Sequence, residues 1–333
     1  MFDGYFISQV VHPFIIYVLF GTFLGYVLVK LAVRYLKLEE AGARVYLKVL
    51  PLLIPFLAYP VFRSVEAKDC YFRLSTSYAI LNNLNNWLCS AGEFLATVLT
   101  PLFIVAMMIA LSKSIISWIA CRRIVRKYGF ATPEDYPLVF ELLNDLVSRS
   151  GSKMPKLVIT WDKYARSFTF GFRQPVIVLS EGLLAHLDED ELETVLAHEV
   201  AHILRADAVS NWITVVLRDF MFFAPVIFWA FRDLIQEKEQ AADEITLKLT
   251  RKPMAFAQAL IKVWRLSPKN FMDSLVLDNV MPNPHFVSNS GVLENRVQRI
   301  IDGTTINFFD RKKVLFICIV ILTLSLGMLY LVC

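Results

Sequence analysis

Charge and cysteine are scarce in this chain of 333 residues. Asp, Glu, Lys and Arg supply only 19% of positions against 56% hydrophobic ones, and mean hydropathy is +0.52. That balance is too apolar for an ordinary soluble domain. The five cysteines form no CxxC pair, so a cysteine-built zinc or redox motif is excluded. No glycine loop suited to phosphate, no internal repeat and no low-complexity tract occurs. The net charge of +4 comes from Lys/Arg clusters beside apolar stretches, so no nucleic-acid partner is expected. The N-terminal region lacks the basic flank and small-residue cleavage site of a signal peptide, and its first apolar span reads as a retained anchor.

What the chain has is long apolar runs. Three precede residue 120, at about Pro13–Val33, Val45–Phe62 and Phe94–Ile119, and a fourth, Val314–Val332, closes it. Each is near the length that crosses about 30 Å of hydrocarbon. The second contains Pro51, Pro55 and Pro60, which predict an interrupted or kinked span. Lys30, Arg34, Lys37, Arg44 and Lys48 cluster around the junction of spans one and two. Arg122, Arg123, Arg126 and Lys127 follow span three, and Arg311, Lys312 and Lys313 precede span four. All three clusters fall on the cytoplasmic side of a cell membrane if both termini are external. The expected organisation is a membrane domain at 1–128, a cytoplasm-facing domain at 129–310 and a terminal transmembrane helix at 311–333. The external loop Arg63–Glu93 holds Cys70 and Cys89; a disulfide and two free thiols both fit there.

Chemistry concentrates in His198-Glu199-Val200-Ala201-His202, an HExxH motif inside the apolar-periodic stretch Leu192–Leu204. On a helix, positions i and i+4 lie about 40° apart, so both imidazoles leave one face and can converge on one Zn²⁺. Glu199 lies about 100° round from His198, free to act on water as a general base. Catalytic zinc takes three protein ligands and leaves one position open. Downstream, Glu239 and Asp243 form ExxxD, again one helix face. Glu239 is the candidate third ligand, and Asp243 suits an outer role, accepting the far N–H of a ligand histidine. Glu237 is the rival ligand. One zinc ion per chain is expected.

The run Leu192-Glu193-Thr194-Val195-Leu196-Ala197-HEVAH, then Asp207, then Glu239-xxx-Asp243, resembles the membrane gluzincins: the Ste24/HtpX-like proteases and the BlaR/MecR-like antirepressor proteases. Ser167–Gly171 and Pro175–Leu184 extend the likeness, which covers about Pro133 to Leu249 and leans toward the BlaR/MecR-like side. The resemblance implies a multi-pass α-helical membrane protein carrying an α+β zincin domain, with zinc endopeptidase activity on protein or peptide substrates. It also implies that an edge strand beside the zinc helix takes substrate by strand addition; Ser167, Phe168, Thr169, Phe170 and Gly171 are the candidate. Relatives of the Ste24/HtpX type carry a His-Pro element and a following Arg near the site. This chain has Pro284-His285 in reversed order and then Arg296, so His285 and Arg296 are catalytic candidates by resemblance.

Around these motifs the pattern is α+β. Thr132-Pro133-Glu134-Asp135 predicts a helix start and Gly151 its stop. Leu157–Thr160, Ser167–Phe170 and Val176–Leu179 read as strands, with turns at Gly171 and Pro175. Asp188 and Glu191 read as a capping box for the HExxH helix. The aromatic stretch Trp212–Phe231 is long enough to span, but a single crossing would separate Glu239 from His198. It also holds Arg218, Asp219 and Pro225. A membrane hairpin is therefore expected at about 212–231, with a buried helix pair of the soluble domain as the alternative. Three functions fit: a quality-control or processing protease, a signalling protease that cuts a repressor or membrane regulator, and a zinc-bound receptor or scaffold without turnover.

Overall fold

The structure, a computed structural model, describes residues 11–65, 79–267, 290–303 and 311–332. His285, Cys70 and the side chain of Cys89 lie outside the described residues. Two compact units emerge. One draws on the chain up to Ala110, on Val216–Glu237 and on the C-terminal helix; the other on Leu111–Val215 and Lys238–Asn307.

The first unit is helical. It contains α1 (His12–Tyr35), α2 (Ala41–Val65), the first part of α3 (Ala79–Tyr128) and the last helix, named α11 below (Arg311–Val332). Four stretches are long and apolar enough to cross a membrane: Phe14–Tyr35, Ala41–Val61, Thr97–Tyr128 and Arg311–Leu329. The protein is accordingly a membrane protein. Three prolines do not interrupt α2, which stays helical from Ala41 to Val65. Neighbouring helices cover it, the setting in which membrane helices tolerate proline. Gly21 and Gly25 of α1 make that cover close: a Cβ on Gly25 would fall 2.6 Å from Ile54 and 3.3 Å from Pro51. Leu47, Ile54 and Ala58 of α2 pack there with Tyr17, Val29 and, from α11, Ile321 and Leu329. By contrast α3 is a single helix of 50 residues, about 75 Å long, which overshoots the span expected at Phe94–Ile119 at both ends.

The second unit holds a three-stranded sheet: β1 (Lys156–Thr160), β2 (Ser167–Phe170) and β3 (Val176–Ser180), in the order β1-β3-β2. β1 runs parallel to β3 and β2 antiparallel to it. Gly171, with φ +99°, opens the β2–β3 turn in a conformation that favours glycine. On one face of the sheet Leu157, Ile159, Ile177 and Leu179 pack with α4 (Pro137–Ser150), α6 (Glu189–Leu204) and α9 (Pro253–Leu266). On the other, Val158, Val176 and Val178 meet Ile124, Val125 and Tyr128 from the end of α3. The short α5 (Glu181–Leu184) links β3 to α6. The first of these helices starts at Pro137, not at Thr132 as the sequence pattern predicts. A helix through Pro137 would lose a hydrogen bond and clash with the carbonyl of Pro133, and the residue before a proline is driven from helical backbone. Tyr136 sits at φ −133°, ψ 61°, and Thr132 Oγ1 bonds Asp135 in the preceding turn.

Between Asp207 and Thr250 the chain forms α7 (Asp207–Phe220), a turn at 221–224 and α8 (Pro225–Thr250). Both helices contribute to both units. The turn belongs to the membrane-helix unit, where Met221, Ala224 and Ile227 pack with Val18 and Leu52. Phe220 stacks against Phe14 and Phe103 at 5.5 and 5.4 Å. Arg218 and Asp219 neutralise each other at 2.6 Å, and the guanidinium lies 4.6 Å over the Phe231 ring. The last described helix of the second unit is α10 (Ser290–Asp302).

Candidate functional site

The motif helix starts firmly. Asp188 accepts from the Glu191 backbone at 2.9 Å while the Glu191 side chain accepts from the Asp188 backbone at 2.9 Å, the reciprocal cap of the pattern S/T/D-x-x-E. One turn on, Glu193 is buried and held by Arg149 and Lys252, each at 2.5 Å. The helix then carries His198, Glu199 and His202 into the interior, where they are 0%, 2% and 6% exposed.

The structure brings His198, His202 and Glu239 to one point. The two Nε2 atoms are 3.1 Å apart; His198 Nε2 lies 3.6 Å from Glu239 Oε2 and His202 Nε2 3.7 Å from Glu239 Oε1. Zinc bound at about 2.0–2.1 Å to tetrahedral ligands sets those ligand atoms roughly 3.3 Å apart. The spacing and the donor types, two imidazoles and a carboxylate, both fit the ion.

Each imidazole is oriented from behind. His198 Nδ1 is 3.2 Å from Asp243 Oδ1, and His202 Nδ1 is 2.8 Å from Asp207 Oδ2. Those carboxylates are anchored in turn. Arg296 donates to both oxygens of Asp243 at 2.8 and 2.6 Å and reaches Glu239 at 3.4 Å; Arg205 lies 3.2 Å from Asp207. With neutral imidazoles, Glu199, Asp207, Glu239 and Asp243 outnumber Arg205 and Arg296 by two charges, which a divalent cation balances. The next cation, Lys238, is bonded to Ser210 and Asn211, and burial lowers its pKa to about 8.

The pKa directions carry the same message. Burial resists charge on His198, yet Asp243 and Glu239 outweigh it and raise the imidazole to about 9. Burial likewise resists charge on Glu239, and His198, His202 and Arg296 overcome it, lowering the carboxyl to about 2. Asp243 is held well below the usual carboxylate range against burial by Arg296 and His198. The site is thus built to keep positive charge between its carboxylates.

Glu199 faces β2. Thr169 Oγ1 donates to its Oε2 at 2.7 Å. Side chains alternate along a strand, so Thr169 turns toward α6 while Phe168 and Phe170 pack with Val158, Val176 and Val178 on the other side. The sheet order leaves β2 at an edge. Glu237, the rival ligand, is not in the cluster: it meets Arg44 Nε at 2.5 Å and Lys48. His186 bonds the Gly182 carbonyl.

Two contacts have no counterpart in the sequence reading. Asp207 follows His202 by five residues, but its contact depends on a 63° bend between α6 and α7, through Ala206 at φ +52°. Thr169 is 30 residues from Glu199 in sequence; period-2 alternation in Ser167–Gly171, opposite an expected zinc helix, was its only available signal.

Comparison with known proteins finds relatives among membrane peptidases. A protease HtpX homologue of Gemmatimonas aurantiaca is 26% identical over 181 residues, 44% of this chain and 64% of its own length. Another, of Methanopyrus kandleri, is 30% identical over 165 residues, 40% of this chain and 52% of its own. The chain thus spans between half and two-thirds of these relatives. The crystal structure of S. mikatae Ste24p aligns with a TM-score of 0.39 at 17% identity, covering 84% of this chain and 80% of that one. The family described as BlaR1 peptidase M56 matches residues 79–289, well over half of the sequence, and the chain belongs to that family.

Proposed function

We propose that this protein is an integral-membrane zinc endopeptidase that hydrolyses peptide bonds of protein substrates at the cytoplasmic membrane face. The observation that carries this reading is the buried His198, His202 and Glu239 cluster with Glu199 beside it and outside it. In this reading His198, His202 and Glu239 hold one zinc ion, and Asp243 and Asp207 hold the two imidazoles in the tautomer that presents Nε2. Arg296 acts through Asp243 and Glu239 and is a positioning residue. When bound, zinc makes water nucleophilic near neutral pH and polarises the scissile carbonyl. Glu199 takes the proton of the attacking water and later delivers it to the leaving amine. Thr169 fixes which carboxylate oxygen faces the strand and which faces the cluster. Substrate adds to the edge of β2 in extended form, so main-chain hydrogen bonds position it with little demand on its sequence. The Lys/Arg clusters near the spans support the cytoplasmic placement.

Detergent-purified full-length protein tests this with casein as substrate. Wild type retains zinc and cleaves; Glu199→Ala retains zinc and loses cleavage by about 10²–10⁴-fold. Equal cleavage by both proteins would remove Glu199 as the base.

A signalling role is the second reading, favoured by the BlaR1 description of the matching family. In that case the substrate is one cytoplasmic repressor or membrane regulator. Wild type then leaves casein intact and cuts that single protein, again only with Glu199 present. A scaffold without turnover has no use for a buried general base.

A further inference from the structure

One cavity serves neither the metal cluster nor the strand edge. It measures about 220 Å³, far above the roughly 15 Å³ that a single water needs, and lies inside the membrane-helix unit where α1, α2 and α8 meet. Three cations line it: Lys30 and Arg34 from α1 and Lys48 from α2. Its acid, Asp233, already accepts from the Tyr26 hydroxyl at 3.0 Å, and Lys30 stands 4.5 Å over the Tyr26 ring. Lys48 shares Glu237 with Arg44. Arg34, the remaining lining cation, has no carboxylate partner among the described residues. The rest of the wall is apolar, from Val29, Val33 and Pro51.

The depth of the cavity is marked by its neighbours. Phe20, Phe23 and Leu31 of α1 are exposed along the span, as side chains facing lipid are. Tyr35 and Tyr46, 76% and 58% exposed, flank the ends of α1 and α2 like an interfacial aromatic belt. Cations at headgroup level above an apolar wall match an amphipathic ligand, an anion joined to hydrocarbon.

We propose that this cavity binds the phosphate headgroup of an anionic phospholipid, with Lys30, Arg34 and Lys48 on the phosphate and Val29, Val33 and Pro51 against the glycerol and first acyl carbons. Basic pockets between membrane helices take such headgroups, and guanidinium pairs with phosphate in bidentate fashion. Inorganic phosphate satisfies the cations but leaves the apolar wall wet.

Native mass spectrometry of the detergent-purified full chain tests the site. Phosphatidylglycerol, phosphatidylcholine and sodium phosphate are titrated separately and then in competition. One phosphatidylglycerol binds in preference to phosphatidylcholine. Lys30→Gln with Arg34→Gln, both at exposed positions, lowers that affinity about thirtyfold. Arg123→Gln with Arg126→Gln, the same loss of charge on α3, changes it little. Val33→Trp, which fills the cavity without altering charge, also weakens binding, and retained zinc shows that the variants are folded. Equal loss from both charge pairs would mean diffuse surface attraction and overturn the site. So would phosphatidylcholine binding as tightly as phosphatidylglycerol. Displacement by sodium phosphate at equal concentration would assign the cavity to soluble phosphate and overturn the lipid.

Discussion

Glu237 and Glu239 stand two residues apart on α8 and are about equally hidden, at 3% and 7% exposure. Their surroundings are opposite. Two residues turn a helix by about 200°, so they point away from each other. Glu237 meets two permanent cations, Arg44 and Lys48. Glu239 meets two imidazoles, with Arg296 at its back. A carboxylate closed by Lys and Arg is neutralised and has no place for a metal. One closed by imidazoles, which supply lone pairs when neutral, leaves a gap that a cation fills. On the proposed function, identical side chains on one helix thus serve as a strut and as a ligand, according to the partners each one meets.

Removing the outer cation breaks the contrast most severely. Arg296→Met leaves Asp243 and Glu239 buried beside each other without it. The zinc-free protein is expected to lose about 3–5 kcal/mol of stability, the range for a buried ion pair stripped of one partner. Urea unfolding in chelator measures this, and added zinc recovers part of the loss. An unchanged midpoint would show that Arg296 is incidental to the carboxylates.

The outer carboxylates sharpen the contrast at the next scale. Asp243→Asn and Asp207→Asn each keep the shape but withdraw charge from one imidazole. Zinc affinity is expected to fall about 10–100-fold for each, measured by chelator competition. An effect at Asp243 alone would mean that the 2.8 Å contact of His202 with Asp207 does not orient the ligand.

The smallest effect concerns Glu193, a strut of the Glu237 kind on the motif helix. Burial resists its charge, but Lys252 and Arg149 outweigh that and hold its pKa below the ordinary value. A depressed folded pKa contributes stability that is full above the unfolded pKa, near 4.3. That stability is lost as pH falls through the folded pKa. Glu193→Gln should therefore cost about 1–2 kcal/mol at neutral pH, less than a fully buried pair, because Arg149 and Lys252 are each more than a third exposed. The deficit should shrink below pH 4; thermal unfolding at pH 7 and pH 3.5 measures both. A deficit independent of pH would mean a packing effect.

Local periodicity made part of this legible. HExxH and ExxxD depend on the i, i+4 geometry of single helices, and the Asp188–Glu191 cap on an i, i+3 spacing in one turn, so residue spacing alone carried them. Three strands and four spans followed from alternation and from apolar length. Spacing already favoured Glu239 over Glu237, but what occupies Glu237 was not legible, because Arg44 and Lys48 are 193 and 189 residues distant in the chain. Nor was the role of Asp207, which depends on one residue with positive φ. The helix start at Pro137 was readable, since a second proline four residues after Pro133 forbids a continuous turn. The prolines of α2 lie inside one unbroken helix that packs against Gly21 and Gly25, and the span that the apolar run predicts stands.

The most direct test of the central claim is zinc stoichiometry and affinity in Glu239→Gln beside Glu237→Gln. The account predicts a fall in affinity of more than about a hundredfold for Glu239→Gln, beyond the range of an outer-shell change, and zinc equal to wild type for Glu237→Gln. Zinc kept by Glu239→Gln and lost by Glu237→Gln would contradict it.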